Sequence, residues 1–252
     1  MNIFWRFAEA MTCLPLIMVW MPDKQIIAIG GRVGQPGDGD TRIERFILES
    51  SGKRAPHVCF VPTASGDNAE FINQIQSTYT GLGVKADVLR FFDRTPADLP
   101  EYMSSFDIIQ VGGGNTRSML AVWRHWGLDV LVRQTWERGA LLCGSSAGSL
   151  CWFENGLTDS VADSYTAMDG LGFISGSNCV HYFAPDRRET YHALIEGGEL
   201  SPGIACPDGV AAHYRGDKLL RVVSCTPDQS AYYVEKVDGE IVESALPTTV
   251  LK

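Results

Sequence analysis

Short apolar runs recur along the chain, separated by longer stretches in which apolar positions return every three or four residues. After residue 24 the runs at 25–29, 57–62, 85–91, 106–111 and 140–143 read as strands. The stretches at 40–49, 68–81, 115–126 and 129–138 read as helices, with Asp67 or Asn68 as an N-cap for the second. Strands alternating with helices at this spacing predict an α/β fold, a three-layer α/β/α arrangement around a mostly parallel sheet. From residue 204 onward the pattern changes to short strands joined by turn signals, Arg215-Gly216-Asp217 and Asp238-Gly239. This predicts an antiparallel β extension of the same sheet at the C-terminus. No repeat or linker divides the chain, so a single domain over 23–252 is expected.

The first 22 residues stand outside this pattern. Their apolar stretch, Leu14 to Trp20, is interrupted by Pro15, is too short to span a bilayer, and precedes no Ala-x-Ala-like cleavage site. Residues 1–22 are expected to be an N-terminal extension, disordered or arising from a mis-assigned start. A formal charge of −9 and the lack of any Lys/Arg run argue against a nucleic-acid partner. Seven cysteines lie scattered, mostly in apolar runs and with no Cys-x-x-Cys pair. They read as buried thiols of a cytoplasmic protein with no membrane association.

The segment Gly144-Ser145-Ser146-Ala147-Gly148 joins the apolar run at 140–143 to the apolar stretch at 149–153, read as the first turns of a helix. A serine exposed at a sharp strand-to-helix bend needs small residues two positions to either side, because a Cβ there would collide across the bend. Gly144 and Gly148 meet that need around Ser146, and the bend aims the Ala147 N–H at whatever oxygen sits beside it. A serine hydroxyl needs a base, and five histidines compete: His57, His125, His181, His192 and His213. His181 is preferred because it ends the apolar strand 178–180 and opens a polar loop, the end of a strand at which open α/β sheets place ligands. For the acid that orients the base, Glu154, Asp159 and Asp163 are candidates, with Asp159 first and Glu154 second.

Two glycine-rich loops follow strands. Gly112-Gly113-Gly114-Asn115-Thr116 departs from a dinucleotide fingerprint, since Arg117 stands where a third glycine belongs, and it fits a second oxyanion donor better than a cofactor loop. Gly30-Gly31-Arg32-Val33-Gly34 also fails that fingerprint and reads as a plain loop.

The Gly-Gly-Gly-Asn-Thr loop, the Gly-Ser-Ser-Ala-Gly elbow, the segment Thr158-Asp159-Ser160 and the strand ending at His181 resemble, in order and spacing, the peptidase E family. That family comprises aspartyl dipeptidases, has the cyanophycinases as relatives, and has a fold similar to class I glutamine amidotransferase domains. The resemblance covers about residues 25–235. It implies Ser146 as nucleophile, His181 as base, Asp159 as orienter, and the N–H groups of Gly114 and Ala147 as the oxyanion hole. It also implies an arginine after the histidine that binds the substrate's aspartate side chain. Arg187 and Arg188 compete for that role, with Arg187 favoured, and Asn115 is a further candidate substrate contact.

The expected function is hydrolysis of dipeptides or small peptides with N-terminal aspartate, through an acyl-enzyme and without metal or organic cofactor. A small peptide is the expected partner, and a homodimer remains open. Three other readings compete: an α/β-hydrolase-type esterase with its histidine late in the chain, a cyanophycinase-like peptidase, and a non-catalytic amidotransferase-like binding domain.

Overall fold

A computed structural model describes residues 23–31 and 39–252. The expectations for 1–22, and the reading of Arg32, Val33 and Gly34, lie outside the described residues. In chain order the elements are β1 (Gln25–Ile29), α1 (Arg42–Ser50), β2 (Val58–Val61), α2 (Ala69–Gly81), β3 (Ala86–Val88), α3 (Leu99–Ser104) and β4 (Ile108–Val111). Then come α4 (Thr116–Trp126), α5 (Leu128–Glu137), β5 (Leu141–Ser145), α6 (Ala147–Leu150), β6 (Phe153–Val161), β7 (Ser164–Asp169) and β8 (Ile174–Val180). The chain ends with α7 (Arg187–Glu196), β9 (Gly203–Cys206), β10 (Val210–Arg215), β11 (Lys218–Ser224), β12 (Tyr232–Val237), β13 (Glu240–Ala245) and β14 (Thr248–Val250).

The strands form two sheets among the described residues, ordered β14-β11-β10-β1-β5-β4-β2-β3 and β13-β12-β9-β8-β6-β7. In the first, β1, β5, β4, β2 and β3 run parallel, as expected, while β10 adds antiparallel to β1. The C-terminal extension is therefore present but divided. Strands β10, β11 and β14 lengthen the first sheet, whereas β12 and β13 join the second.

The alternation of side chains along β1 explains how the first sheet is covered. Ile26 and Ala28 face one core with Trp123, Val132, Trp152 and Phe153, while Ile27 and Ile29 face another with Phe46, Ile47 and Tyr79. Helices α1 and α2 thus cover one face, and α3, α4 and α5 the other, where the core continues into the second sheet through Phe153, Ile174 and Ile204. A third cluster, including Leu157, Tyr182, Tyr191 and Val234, fastens α7 to the outer side of the second sheet.

Local readings shift where packing intervenes. The elbow helix α6 lasts a single turn and ends at Leu150, because Phe153 is drawn into β6 and pairs with Ile174. The run at 85–91 yields a strand only over Ala86–Val88; Asp67 then takes the N–H groups of Phe91 and Phe92. All six described cysteines are buried and free. Among the described residues no helix is long and apolar enough to cross a membrane.

Trp152 is fully buried in the core shared by the two sheets, with ring centroids 6.2 Å from Trp123 and 5.6 Å from Phe173. Trp152→Ala should therefore cost about 3–5 kcal/mol, read from the denaturant midpoint. Trp152→Phe should cost less, since the indole N–H has no hydrogen-bond partner to lose.

Candidate functional site

The carboxyl end of β5 carries the bend. Ser146 has φ 55° and ψ −116°, a conformation that an L-residue holds only when its surroundings impose it. The surroundings are two glycines passing each other and β4 at contact. A Cβ on Gly144 would lie 2.3 Å from the Gly148 carbonyl oxygen, and one on Gly148 would lie 2.3 Å from that of Val111. The Ser146 N–H donates to the Ile29 carbonyl of β1 at 3.2 Å, and the Ser146 carbonyl accepts from Ser149 and Leu150 at 2.9 and 3.0 Å. Ala147 therefore opens α6, and its N–H has no acceptor within the helix. The Gly112–Gly114 loop backs onto this bend: a Cβ on Gly113 would lie 3.2 Å from Ser146 Cβ and 3.7 Å from its Oγ.

His181 follows β8 directly, and its N–H donates to the Gly30 carbonyl at 3.0 Å. Its Nε2 lies 2.9 Å from Ser146 Oγ and its Nδ1 lies 2.5 Å from Asp208 Oδ1. A carboxylate on Nδ1 holds the proton there and leaves Nε2 free to accept from the serine hydroxyl. The acid beside His181 is thus Asp208, and the expectation of Asp159 in that place is corrected. Strands β8 and β9 are parallel, with Val180 paired to Cys206, so their carboxyl ends deliver His181 and the Pro207-Asp208-Gly209 turn side by side.

Asp159 approaches the same end from the other flank, because β6 is also parallel to β8 with Gly156 opposite Asn178. Strand β6 then shifts register against β7 between Thr158 and Val161, and the Asp159 carboxylate meets Arg187 at 3.3 Å. Glu154 accepts the Gly176 N–H at 2.9 Å, and Asp163, with φ 60°, lies in the β6–β7 connection. Neither approaches His181 by any hydrogen bond.

The two arginines separate cleanly. Arg187 is only 3% exposed, packs its guanidinium 4.8 Å from the centre of the Tyr165 ring, and has no hydrogen-bond partner for Nε. Arg188 is turned away and donates to Glu243 at 2.8 Å. Asn115 is committed to structure: its Oδ1 caps α4 by accepting from Ser118, and its Nδ2 donates to the Ser160 carbonyl at 3.0 Å. Gly114 precedes it with φ 136°, which leaves its place in the loop to glycine alone.

Behind the site, Tyr182 donates its hydroxyl to Glu243, which also receives Arg188 and lies 3.1 Å from His192 Nε2. Burial pushes the Glu243 carboxyl up, but the hydrogen bonds from Arg188 and Tyr182 outweigh it and hold the group below the usual carboxylate range. This network pins the residue next to His181 to β13. The remaining histidines belong elsewhere. His57 meets Asp87 at 2.8 Å, and His213 is buried between Gln25 and Arg221, where desolvation and the arginine charge push its pKa down to about 4.

Two features were present in the sequence but carried no weight there. Gly30-Gly31 is more than a loop, since a Cβ on Gly31 would lie 1.9 Å from Asp208 Oδ1 and 2.4 Å from His181 Nδ1. The Pro-Asp-Gly turn after the apolar run 203–206 marked a strand end carrying a carboxylate. The signal available was that pairing of strand end and acid, not the acid's position between serine and histidine.

Comparison with known proteins bears on this geometry. The model of peptidase family S51 matches residues 26–222. The uncharacterised peptidase YgaJ of Bacillus subtilis strain 168 is 40% identical over 229 residues, covering 90% of this chain and 99% of that protein. Among solved structures, a peptidase from an acI-B1 Actinobacterium superposes with a TM-score of 0.64 at 17% identity, covering 88% of this chain and 95% of the other. A candidate peptidase E from Listeria monocytogenes EGD-e gives 0.55 at 18% identity, covering 89% and 100%. At these identities the two structures speak to the fold.

The contact of Gly31 with both members of the His181–Asp208 pair makes a test of the pair's geometry. Gly31→Ala should slow fluorophosphonate labelling of Ser146 roughly 10²-fold, because an added methyl group must push the imidazole or the carboxylate aside. The thermal midpoint should move little, as the neighbours are the ends of two partly exposed side chains. Unchanged labelling would mean that the pair relaxes without consequence.

Proposed function

The chain belongs to peptidase family S51 and is a serine-type peptidase, and from that premise we propose that it hydrolyses dipeptides or small peptides with N-terminal aspartate through a Ser146–His181–Asp208 triad. The observation that carries the triad is the continuous hydrogen-bonded line from Ser146 Oγ through the imidazole to Asp208, 2.9 and 2.5 Å long. In this reading Ser146 Oγ attacks the scissile carbonyl carbon while His181 Nε2 takes its proton. The negative charge forming on the carbonyl oxygen falls to the N–H groups of Ala147 and Gly114. Collapse of the tetrahedral intermediate breaks the C–N bond, and His181 returns the proton to the leaving amine. Water, deprotonated by the same imidazole, then releases the acyl group and restores the serine. Asp208 keeps the ring in one tautomer and balances its charge when it is protonated.

The competing readings lose support at particular residues. A late-histidine esterase would need His213, which is 1% exposed and bonded to Gln25. A non-catalytic domain gives no reason for three side chains held in line at a strained bend. Cys143 and Cys151 offer no substitute nucleophile, because both are fully buried and burial pushes their thiols up.

Aspartate selectivity rests on Arg187. A guanidinium removed from water with Nε unpartnered is a strong receptor for a carboxylate, which it can bind through two parallel hydrogen bonds.

Ser146→Ala and His181→Ala should each lower turnover by about three orders of magnitude or more, and Asp208→Asn by roughly 10²- to 10⁴-fold. Glu154→Gln should stay within about threefold, since its carboxylate serves the Gly176 N–H. Full activity in Asp208→Asn would remove it from the triad.

Asp-Leu should be cleaved roughly 10²-fold better than Asn-Leu or Ala-Leu, measured as kcat/KM. Arg187→Ala should close that gap by losing the Asp substrate, and Arg188→Ala should preserve it. Equal rates on Asp-Leu and Ala-Leu would defeat the selectivity and leave the serine chemistry standing.

A further inference from the structure

A second cleft, of about 500 Å³, opens between α4 and the edge strand β7, and none of Ser146, His181, Asp208 or Arg187 lines it. Helix α4 forms one wall. Arg117 and Arg124 lie two turns apart on one face of that helix, with Leu120 between them. The other wall carries Asp169, at the end of β7, and Glu199, in the connection from α7 to β9. Leu120, which is 1% exposed, and Met168, which packs against the core, give the cleft an apolar floor. All four charged residues are exposed, and among the described residues none of their side chains makes a hydrogen bond or an ion pair. Walls of opposite charge therefore face each other without pairing. The backbone on both sides is held in place. Asn155 Nδ2 donates to Ser201 Oγ at 3.3 Å and its Oδ1 accepts the Ser201 N–H at 3.4 Å, which ties the acidic side to β6. On the basic side the Arg117 N–H donates to Ser160 Oγ at 3.2 Å, and Leu120 anchors α4 in the core.

We propose that this cleft is a second, non-catalytic binding site for a small zwitterion with an α-ammonium and a carboxylate, that is, a free amino acid or a dipeptide. The proposal goes beyond the peptidase activity and does not depend on aspartate selectivity. A ligand with both charges joins the two walls. Its carboxylate accepts from Arg117 and Arg124, its ammonium donates to Asp169 and Glu199, and an aliphatic side chain covers Leu120 and Met168. A ligand with one charge gains one wall and meets its own charge on the other, which disfavours both polyanions and polycations. The volume lies in the range of small-molecule sites and leaves room for either kind of zwitterion. Amino acids and short peptides are also the products and substrates of a peptidase, so such ligands are present wherever the enzyme works.

The test is an amide NMR titration of the full chain with Ser146 blocked by a fluorophosphonate, so that no peptide is turned over. The ligands are L-leucine, Leu-Leu and the two halves of leucine: 4-methylpentanoate, which lacks the amine, and 3-methylbutylamine, which lacks the carboxylate. Leucine, Leu-Leu or both should shift the signals of residues 117–124 and 167–169 along a saturable curve, with a Kd in the millimolar range or below. Each half-ligand should bind roughly 10-fold more weakly. Arg124→Ala and Glu199→Gln should each weaken the zwitterion roughly 10-fold while leaving the rate of fluorophosphonate labelling of Ser146 unchanged. Binding of leucine alone assigns the cleft to free amino acids, and binding of Leu-Leu alone assigns it to dipeptides. The proposal is overturned if neither ligand gives a saturable shift, or if binding is unchanged in both variants. Shifts confined to residues 146–147 and 181–187 also overturn it, because the ligand then occupies the catalytic site. So does a half-ligand that binds as well as leucine, because the cleft then reads a single charge.

Discussion

The end of β1 is the constraint on which the site depends. Ile29 accepts the Ser146 N–H through its carbonyl, Gly30 accepts that of His181, and the Gly30 N–H donates to Val210. Two consecutive residues therefore bind, through backbone atoms alone, the bend at Ser146, the strand end that carries His181 and the first residue of β10. A Cβ on Gly30 would lie 2.2 Å from the carbonyl oxygens of Cys206 and Pro207, the two residues before Asp208. Only a chain without side chains at 30 and 31 can pass this closely between the two sheets, and backbone hydrogen bonds set distances that flexible side chains could not hold.

That junction also explains why the chain builds two sheets where one would support the elbow. The first sheet supplies a rigid parallel array whose carboxyl ends present Ser146 and the Gly112–Gly114 loop. The second supplies His181 and Asp208 from the ends of the neighbouring parallel strands β8 and β9. The shared core around Trp123, Trp152 and Phe173 keeps the sheets from sliding, so the 2.9 Å contact between Ser146 and His181 is a property of packing as much as of the two residues. The Tyr182–Glu243–Arg188 network adds a local brace on the residue after His181.

Charge is distributed by the same logic. Asp208 sets its carboxylate against His181 Nδ1 from a partly exposed turn. Arg187 is buried at the start of α7, where a helix N-terminus disfavours a cation, and it retains an unsatisfied donor. Stability alone does not account for such a placement.

The sequence by itself determined what depends on neighbouring residues: the strand–helix alternation, the glycine-flanked bend at Ser146, the histidine closing the strand 178–180, and the arginines after it. Each is set by steric or periodic rules acting over a few positions. The second sheet was not legible, because β6 and β7 are half-exposed strands with weak alternation, and β9 reaches β8 only after the intervening helix α7. The acid on His181 escaped for the same reason. Asp159 and Asp208 both sit at the ends of strands parallel to β8, and nothing in their local sequences says which carboxylate turns inward. The register of β9 and the close passage of Gly31 decide it, and those exist only once strands far apart in sequence lie side by side.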